Sequence, residues 1–320
     1  MVKTQQMVQK TLPYKRLARG KQIKRSLYRS RYLYIMILPV LLYYIIFHYV
    51  PLYGAQIAFR DFNPFQGFWK SPWAGFKYFR QFFDSVYFSR LIGNTFAINI
   101  YDLIVGFPAP ILLALMMNEI KSNSFKRTVQ TIVYLPHFIS TVVLAGMIIS
   151  FLSPRSGIVN LIIKLFGGEP IHFLAEPGWF RSVYVWSGIW QGAGWGSIIY
   201  LAALTGIDPN LYEAAIVDGA SRLDRLLHIT IPCIIPTIII MFILRMGSMF
   251  SVGYEKVMLL YNPITYETAD VISTYVYRRG ILGGEYSFST AVELFNSAIN
   301  FIMLFLFNRI SRKISEVSLW

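Results

Sequence analysis

Ionisable and amide side chains are sparse inside the apolar stretches of this chain, so those that occur there mark where chemistry would sit. Asp102, Arg245 and Glu293 all lie within long hydrophobic runs. A charge at such depth is costly and usually faces a protein interior or a water path. Glu293, Asn296 and Asn300 fall at i, i+3 and i+7, with Ser297 beside them, which places them on one helix face. Arg245 and Ser248 are three apart. These residues admit two readings: Arg245 pairs with Glu293 to hold helices together, or the set lines a path for a polar solute. Trp186 and Trp190 are four apart, with Gln191 next and Trp195 beyond. Trp beside an amide offers a sugar ring a flat face and a hydrogen bond, and it is equally ordinary helix packing.

Other chemistry is missing. There is no GxxxxGK[ST] loop to cradle phosphates and no nucleophile elbow. His48, His137, His172 and His228 are scattered, and no His/Cys spacing suggests a metal site. The glycines of GAGWG (192–196) follow no strand, which argues against a dinucleotide site. The single cysteine, Cys233, permits no internal disulfide. The chain is expected to be no enzyme and to hold no metal or cofactor. A transporter without an engine needs an ion gradient or a partner that hydrolyses ATP.

The elements that must position these residues are membrane helices. Of 320 residues, 55% are hydrophobic and 14% charged, against about 25% charged in soluble domains. Mean hydropathy is +0.48. A helical span needs roughly 20 mostly apolar residues. Six stretches qualify: 32–50, 94–117, 130–152, 183–206, 229–252 and 289–308. The expected fold is an all-α integral membrane protein. It divides into a basic N-terminal arm (1–31), a six-span domain (32–308) and a short tail (309–320). The arm holds ten Lys/Arg and no acid. With N- and C-termini inside, inner segments carry 18 basic residues against 11 outside, as the positive-inside rule demands. Juxtamembrane basic clusters accompany anionic lipid rather than nucleic acid. The outer segment SPWAGFKYFRQFF suits a membrane interface. The third outer segment, about 253–288, is long and contains a β-branched, aromatic run VISTYVYRRG.

One inner loop, 207–228, is unlike the rest. Asp208-Pro209 reads as a helix start, with Asp as N-cap and Pro at the first position. The helix ends at Gly219, which tolerates positive φ. Ser221 with Asp224 restarts a second helix in a capping-box pattern. Ala214 and Ala215 are small enough to sink into a partner's groove, and Glu213 and Asp218 can meet a basic rim.

The spaced residues Glu213-Ala214-Ala215, Gly219, Ile229 and Ile231-Pro232 resemble the signature of permease subunits of bacterial ABC importers, with Ile231 where Leu is usual. PLYGAQIAFRDFNPF and YSFSTAVELFNSAINFIMLFLFNRISRK are similar to the carbohydrate branch of that family, which imports oligosaccharides and polysaccharide fragments, acidic ones such as alginate among them. The resemblance covers the chain from about residue 30 onward. It implies a type I importer bundle whose first loop helix is a coupling helix, with Glu213, Ala214, Ala215, Asp218 and Gly219 docking an ATPase. It also implies two ATP-binding cassette subunits carrying ATP and Mg, a second permease of different sequence, a periplasmic or lipid-anchored solute-binding protein, and an inner-membrane location. The substrate path is expected at Trp186, Trp190, Gln191, Arg245, Glu293, Asn296 and Asn300. The rival expectation is an ion-coupled secondary transporter of a polar solute.

Overall fold

The computed structural model describes residues 28–315 and 317–320, so most of the expected basic arm lies outside the described residues. The chain divides into two units, Met1–Ala55 and Gln56–Trp320. In the first, helix α1 (Arg31–Tyr44) continues through a π turn (Ile45–Tyr49) and a further short turn (Val50–Leu52), and none of these segments buries a side chain. A helix that is apolar all round suits lipid.

The second unit is helical throughout, and among the described residues its only β contact is the isolated bridge between Arg60 and Trp73. Besides the four-residue turns Gly67–Lys70 and Tyr266–Ala269, its helices are α2 (Lys77–Phe83), α3 (Phe88–Tyr101), α4 (Pro108–Asn118), α5 (Asn123–Tyr134), α6 (Thr141–Phe151) and α7 (Ile158–Leu165). They continue with α8 (Pro177–Thr205), α9 (Pro209–Val217), α10 (Arg222–Arg225), α11 (Ile231–Met246), α12 (Tyr254–Leu260), α13 (Ile272–Val276) and α14 (Tyr286–Ser315). Among the described residues four helical runs are long and apolar enough to cross a bilayer: Arg31–Phe59, Phe88–Asn118, Arg222–Met246 and Tyr286–Ser315. Helix α8, at 29 residues, is about 43 Å long by the rise of an α-helix. It is long enough to reach across, but its glycines, Gln191 and serines dilute its apolar content.

The expected third span is not straight. The run from Asn123 to Phe138 meets α6 at an angle of 100°. Pro136 lies in a 3-10 turn, and Ser140 adopts extended backbone and caps α6 through Val143 N–H. A break of this kind frees backbone groups that need partners. Gln191 of α8 supplies one, donating from Nε2 to the Ile139 carbonyl at 2.8 Å. The GAGWG stretch makes the contact possible. A Cβ at Gly194 would collide with the Val133 carbonyl of α5, and one at Gly196 would lie 3.2 Å from Pro110 of α4. Thus α8 is the central post, with α4 and α5 packed against its glycines.

The third outer segment does not stay outside the core. Val257, Val271 and Ile272 are fully buried, and VISTYVYRRG folds as α13 and a π turn. Packing against α3 and α14 overrides its strand preference. Likewise Phe82 of the aromatic outer stretch is buried against Phe288 and Phe295 of α14, while Trp73 and Phe76 remain exposed.

Candidate functional site

The end of α3, the middle of α8, the end of α11 and the start of α12 enclose a polar cavity of about 250 Å3. Asp102 enters it from a π turn that interrupts the Phe88–Asn118 run. The Arg245 guanidinium of α11 donates to its carboxylate. Of the two readings offered for these residues, the pairing of Arg245 with Glu293 is thereby overturned, and Glu293 lies exposed on α14. Depth alone identified both acids as candidates; only the crossing of α3 and α11 selects Asp102. Gly106, one turn on, keeps the place clear, because a Cβ there would strike the Asp102 carboxylate.

Lys256 reaches the same cavity from α12. Its Nζ donates to the Tyr184 carbonyl at 2.8 Å and lies 4.5 Å from the Tyr184 ring centroid. A Cβ at Gly188 would sit 3.4 Å from that ammonium. Among the described residues Lys256 has no carboxylate partner. Buried Asn99 and the segment Ser251–Gly253 complete the wall.

The other residues named from the sequence separate. Asn300 accepts from Phe250 N–H at 2.8 Å and donates to Ser251 Oγ at 3.0 Å, so it pins the chain leaving α11 at the cavity rim. Asn296 is buried, and its Oδ1 has no hydrogen-bond partner. Trp186 donates to Tyr101 Oη at 3.1 Å and lines an apolar hollow of about 310 Å3 with Phe151, Phe173 and Trp179. Trp190 lines a second apolar hollow with Met147 and Ile148. Gln191 is committed to the break between α5 and α6. The structure therefore places Arg245 at the polar cavity, puts the two tryptophans on apolar faces, and uses Gln191 and Asn300 to hold backbone.

The sequence reading missed Lys256, and it missed a network built on Asp270. That carboxylate is fully buried and accepts from Arg278 at 2.7 and 2.8 Å, from Arg90 at 3.5 Å and from Thr274 at 2.8 Å. Asn94 donates to the Asp270 carbonyl and accepts from Arg181. A buried charge persists only when paired and hydrogen-bonded, and this network ties α3, α8 and α13 together. Asp270, Thr274 and Arg278 stand at a helical spacing of four that the sequence reading passed over, whereas Arg90, Asn94 and Arg181 are remote from them in sequence, and no spacing signals their part in it.

The inner loop forms a rigid corner. The Asp208 side chain accepts from Asn210 N–H, Pro209 opens α9, and Gly219 takes φ +80°. Ala220 N–H reaches the Ala215 carbonyl at 2.9 Å and Gly219 N–H the Ile216 carbonyl at 3.1 Å, the paired bonds of a Schellman motif. The Ser221–Asp224 capping box closes reciprocally, the hydroxyl accepting from Asp224 N–H and the carboxylate from Ser221 N–H. Tyr212 Oη meets Thr230 Oγ1 at 3.0 Å and anchors α9 to the base of α11. Glu213, Ala214, Asp218 and Gly219 are exposed and Ala215 is half-buried. Beside them Met116, Leu223 and Leu226 border a groove of about 530 Å3, with Glu119 and Arg222 on its edge.

A helical membrane protein with a polar cavity among its spans, and an exposed rigid corner at one end, is built as a transport subunit that borrows its engine. The chain belongs to the binding-protein-dependent transport system inner membrane component family, whose profile matches residues 106–316. It is 44% identical over 316 residues to Protein LplB of Bacillus subtilis (strain 168), covering 97% of this chain and 99% of that protein. It is 43% identical over 300 residues to the polygalacturonan/rhamnogalacturonan transport system permease protein YteP of the same strain, covering 94% of each. A solved bacterial ABC transporter involved in the import of the acidic polysaccharide alginate matches with a TM-score of 0.85 and 45% identity, over 92% of this chain and 99% of that one. A second, the alginate transporter in complex with an alginate pentasaccharide-bound periplasmic protein, gives 0.85 and 44% over the same shares. The chain is thus a multi-pass inner-membrane permease subunit of an ABC importer, a transporter component and not an enzyme.

Proposed function

We propose that this permease carries oligosaccharides or polysaccharide fragments, acidic ones included, into the cell by alternating access. The observation that carries the reading is the polar cavity held open among apolar helices by Asp102, Arg245 and Lys256. The names of the relatives, a polygalacturonan/rhamnogalacturonan permease and an alginate importer, support a saccharide cargo. Membership in a binding-protein-dependent family favours a partner-driven pump over an ion-coupled carrier.

In this reading α8 and the bent α5–α6 pair join the four longer runs to make six crossings, with both termini cytoplasmic. Helix α9 is the coupling helix. Glu213, Ala214, Ala215, Asp218 and Gly219 dock one of two ATPase subunits, which bind ATP and Mg. The Tyr212–Thr230 bond and the capping box pass the displacement of α9 into α11, whose far end carries Arg245. Trp186, Trp190, Glu293 and Asn296 face the route that a second, different permease completes, while Gln191 and Asn300 shape its walls. A periplasmic or lipid-anchored binding protein delivers the sugar.

Gentle extraction of the tagged chain from its native membrane, followed by mass spectrometry, tests the assembly. Co-purification of a P-loop ATPase and a second permease is expected. A chain that emerges alone, under conditions that keep other importers whole, would overturn the reading.

A further inference from the structure

The charges of the polar cavity do not cancel. Asp102 is ion-paired with Arg245, and Lys256, which feels Asp102 only across the cavity, has no ion pair of its own and is held by a backbone carbonyl and a ring face. A partly buried ammonium without an ion pair of its own is costly, yet the fold makes room for it. Gly188 lies under the ammonium, where a Cβ would come within 3.4 Å, and Gly106 clears the Asp102 carboxylate so that Arg245 stays engaged. Asn300 fixes Ser251 on the rim, and Asn99 adds an amide to the wall.

We propose that this cavity is a carboxylate subsite in which Lys256 is the specificity-determining residue for acidic saccharides. The inference rests on the saccharide reading above and specifies its chemistry. A uronate carboxylate entering the cavity supplies the anion that Lys256 lacks. Asp102 meanwhile occupies Arg245 and prevents the site from holding the anion with two cations. The sugar is therefore recognised by a single charge and released again, which a transport path requires.

The test uses the complete importer in proteoliposomes, with a uronic-acid trisaccharide and its carboxyl-reduced neutral counterpart as probes. The readout is the ratio of acidic to neutral uptake. Lys256→Gln keeps a donor for the Tyr184 carbonyl and removes the charge. It is expected to lower the ratio by on the order of tenfold or more, the scale of a hydrogen bond to a charged group, while Lys256→Arg keeps the ratio near that of the wild type. If the Gln variant does not assemble, Lys256→Met is read in the same way. An unchanged ratio in the uncharged variant overturns the proposal and assigns Lys256 to packing α12 on α8. A wild-type complex that carries only the neutral probe overturns the proposal and leaves the saccharide reading standing. A wild-type complex that carries neither probe overturns both.

Discussion

Replacing Gly219 separates the backbone of the inner corner from its surface. Gly219 holds φ +80°, and no atom lies within 4 Å of where a Cβ would stand. Any penalty in the isolated subunit is therefore conformational and not steric. For an L-residue in the left-handed region it is about 1–2 kcal/mol, while Asn tolerates that region better than other side chains. At about 1.4 kcal/mol per tenfold, the population of the correct corner falls by roughly 5–30-fold. The cost is met by loosening the two bonds from Ala220 and Gly219 to Ala215 and Ile216. The assay is ATPase retention on the purified permease pair, together with sugar-stimulated ATP hydrolysis. The expected order of coupling is wild type, then Gly219→Asn close behind, then Gly219→Ala, with Gly219→Val lowest. If Asn is as damaging as Val, the loss comes from side-chain volume at a docked surface, and the argument from φ is wrong.

Three further outcomes follow from the packing. Gly194→Ala drives a methyl into the Val133 carbonyl of α5; a loss of about 1–3 kcal/mol is expected for such overpacking, read as a lower thermal midpoint in detergent, with Gly192→Ala, which meets nothing within 4 Å, as the silent control. Asp102→Asn and Arg245→Gln are each expected to destabilise by about 1–3 kcal/mol, less than a fully buried pair because each partner is about one-third exposed; a double-mutant cycle should show the two losses to be non-additive, and simple addition would refute the pairing. Asp61 accepts from Lys77 at 2.8 Å and Tyr78 at 2.5 Å, and first the Lys77 bond, then the Tyr78 bond, holds its carboxyl below its usual 3.8. Its contribution is therefore complete above about pH 4 and lost as pH falls through its lower folded value; Asp61→Asn should lower stability at neutral pH by that contribution, small for so exposed a pair, and flatten the acid limb so that the two proteins converge at low pH, and an identical acid limb in the variant would refute the link.

The sequence by itself determined the membrane class, the apolar runs and the inner corner. Each is a local property. Apolar run length is set by bilayer thickness, and Asp208-Pro209, Gly219 and Ser221–Asp224 specify caps and a left-handed turn through neighbours a few residues away. The structure reproduces that loop almost residue for residue, with α9 at Pro209–Val217. Composition also told that Asp102 and Arg245 needed partners. It did not tell which, because pairing depends on which helices cross and at what depth. Only the tertiary structure bent the expected third span at Ser140, set Gln191 to hold the freed Ile139 carbonyl, and drew the 253–288 segment into the core. Only there does Lys256, which reads as an ordinary charge in an outer loop, arrive beside Asp102 and Arg245. Helix caps and apolar length are decided within one or two turns of chain, whereas a cavity is decided by side chains from four helices meeting, and no spacing in the sequence encodes that meeting.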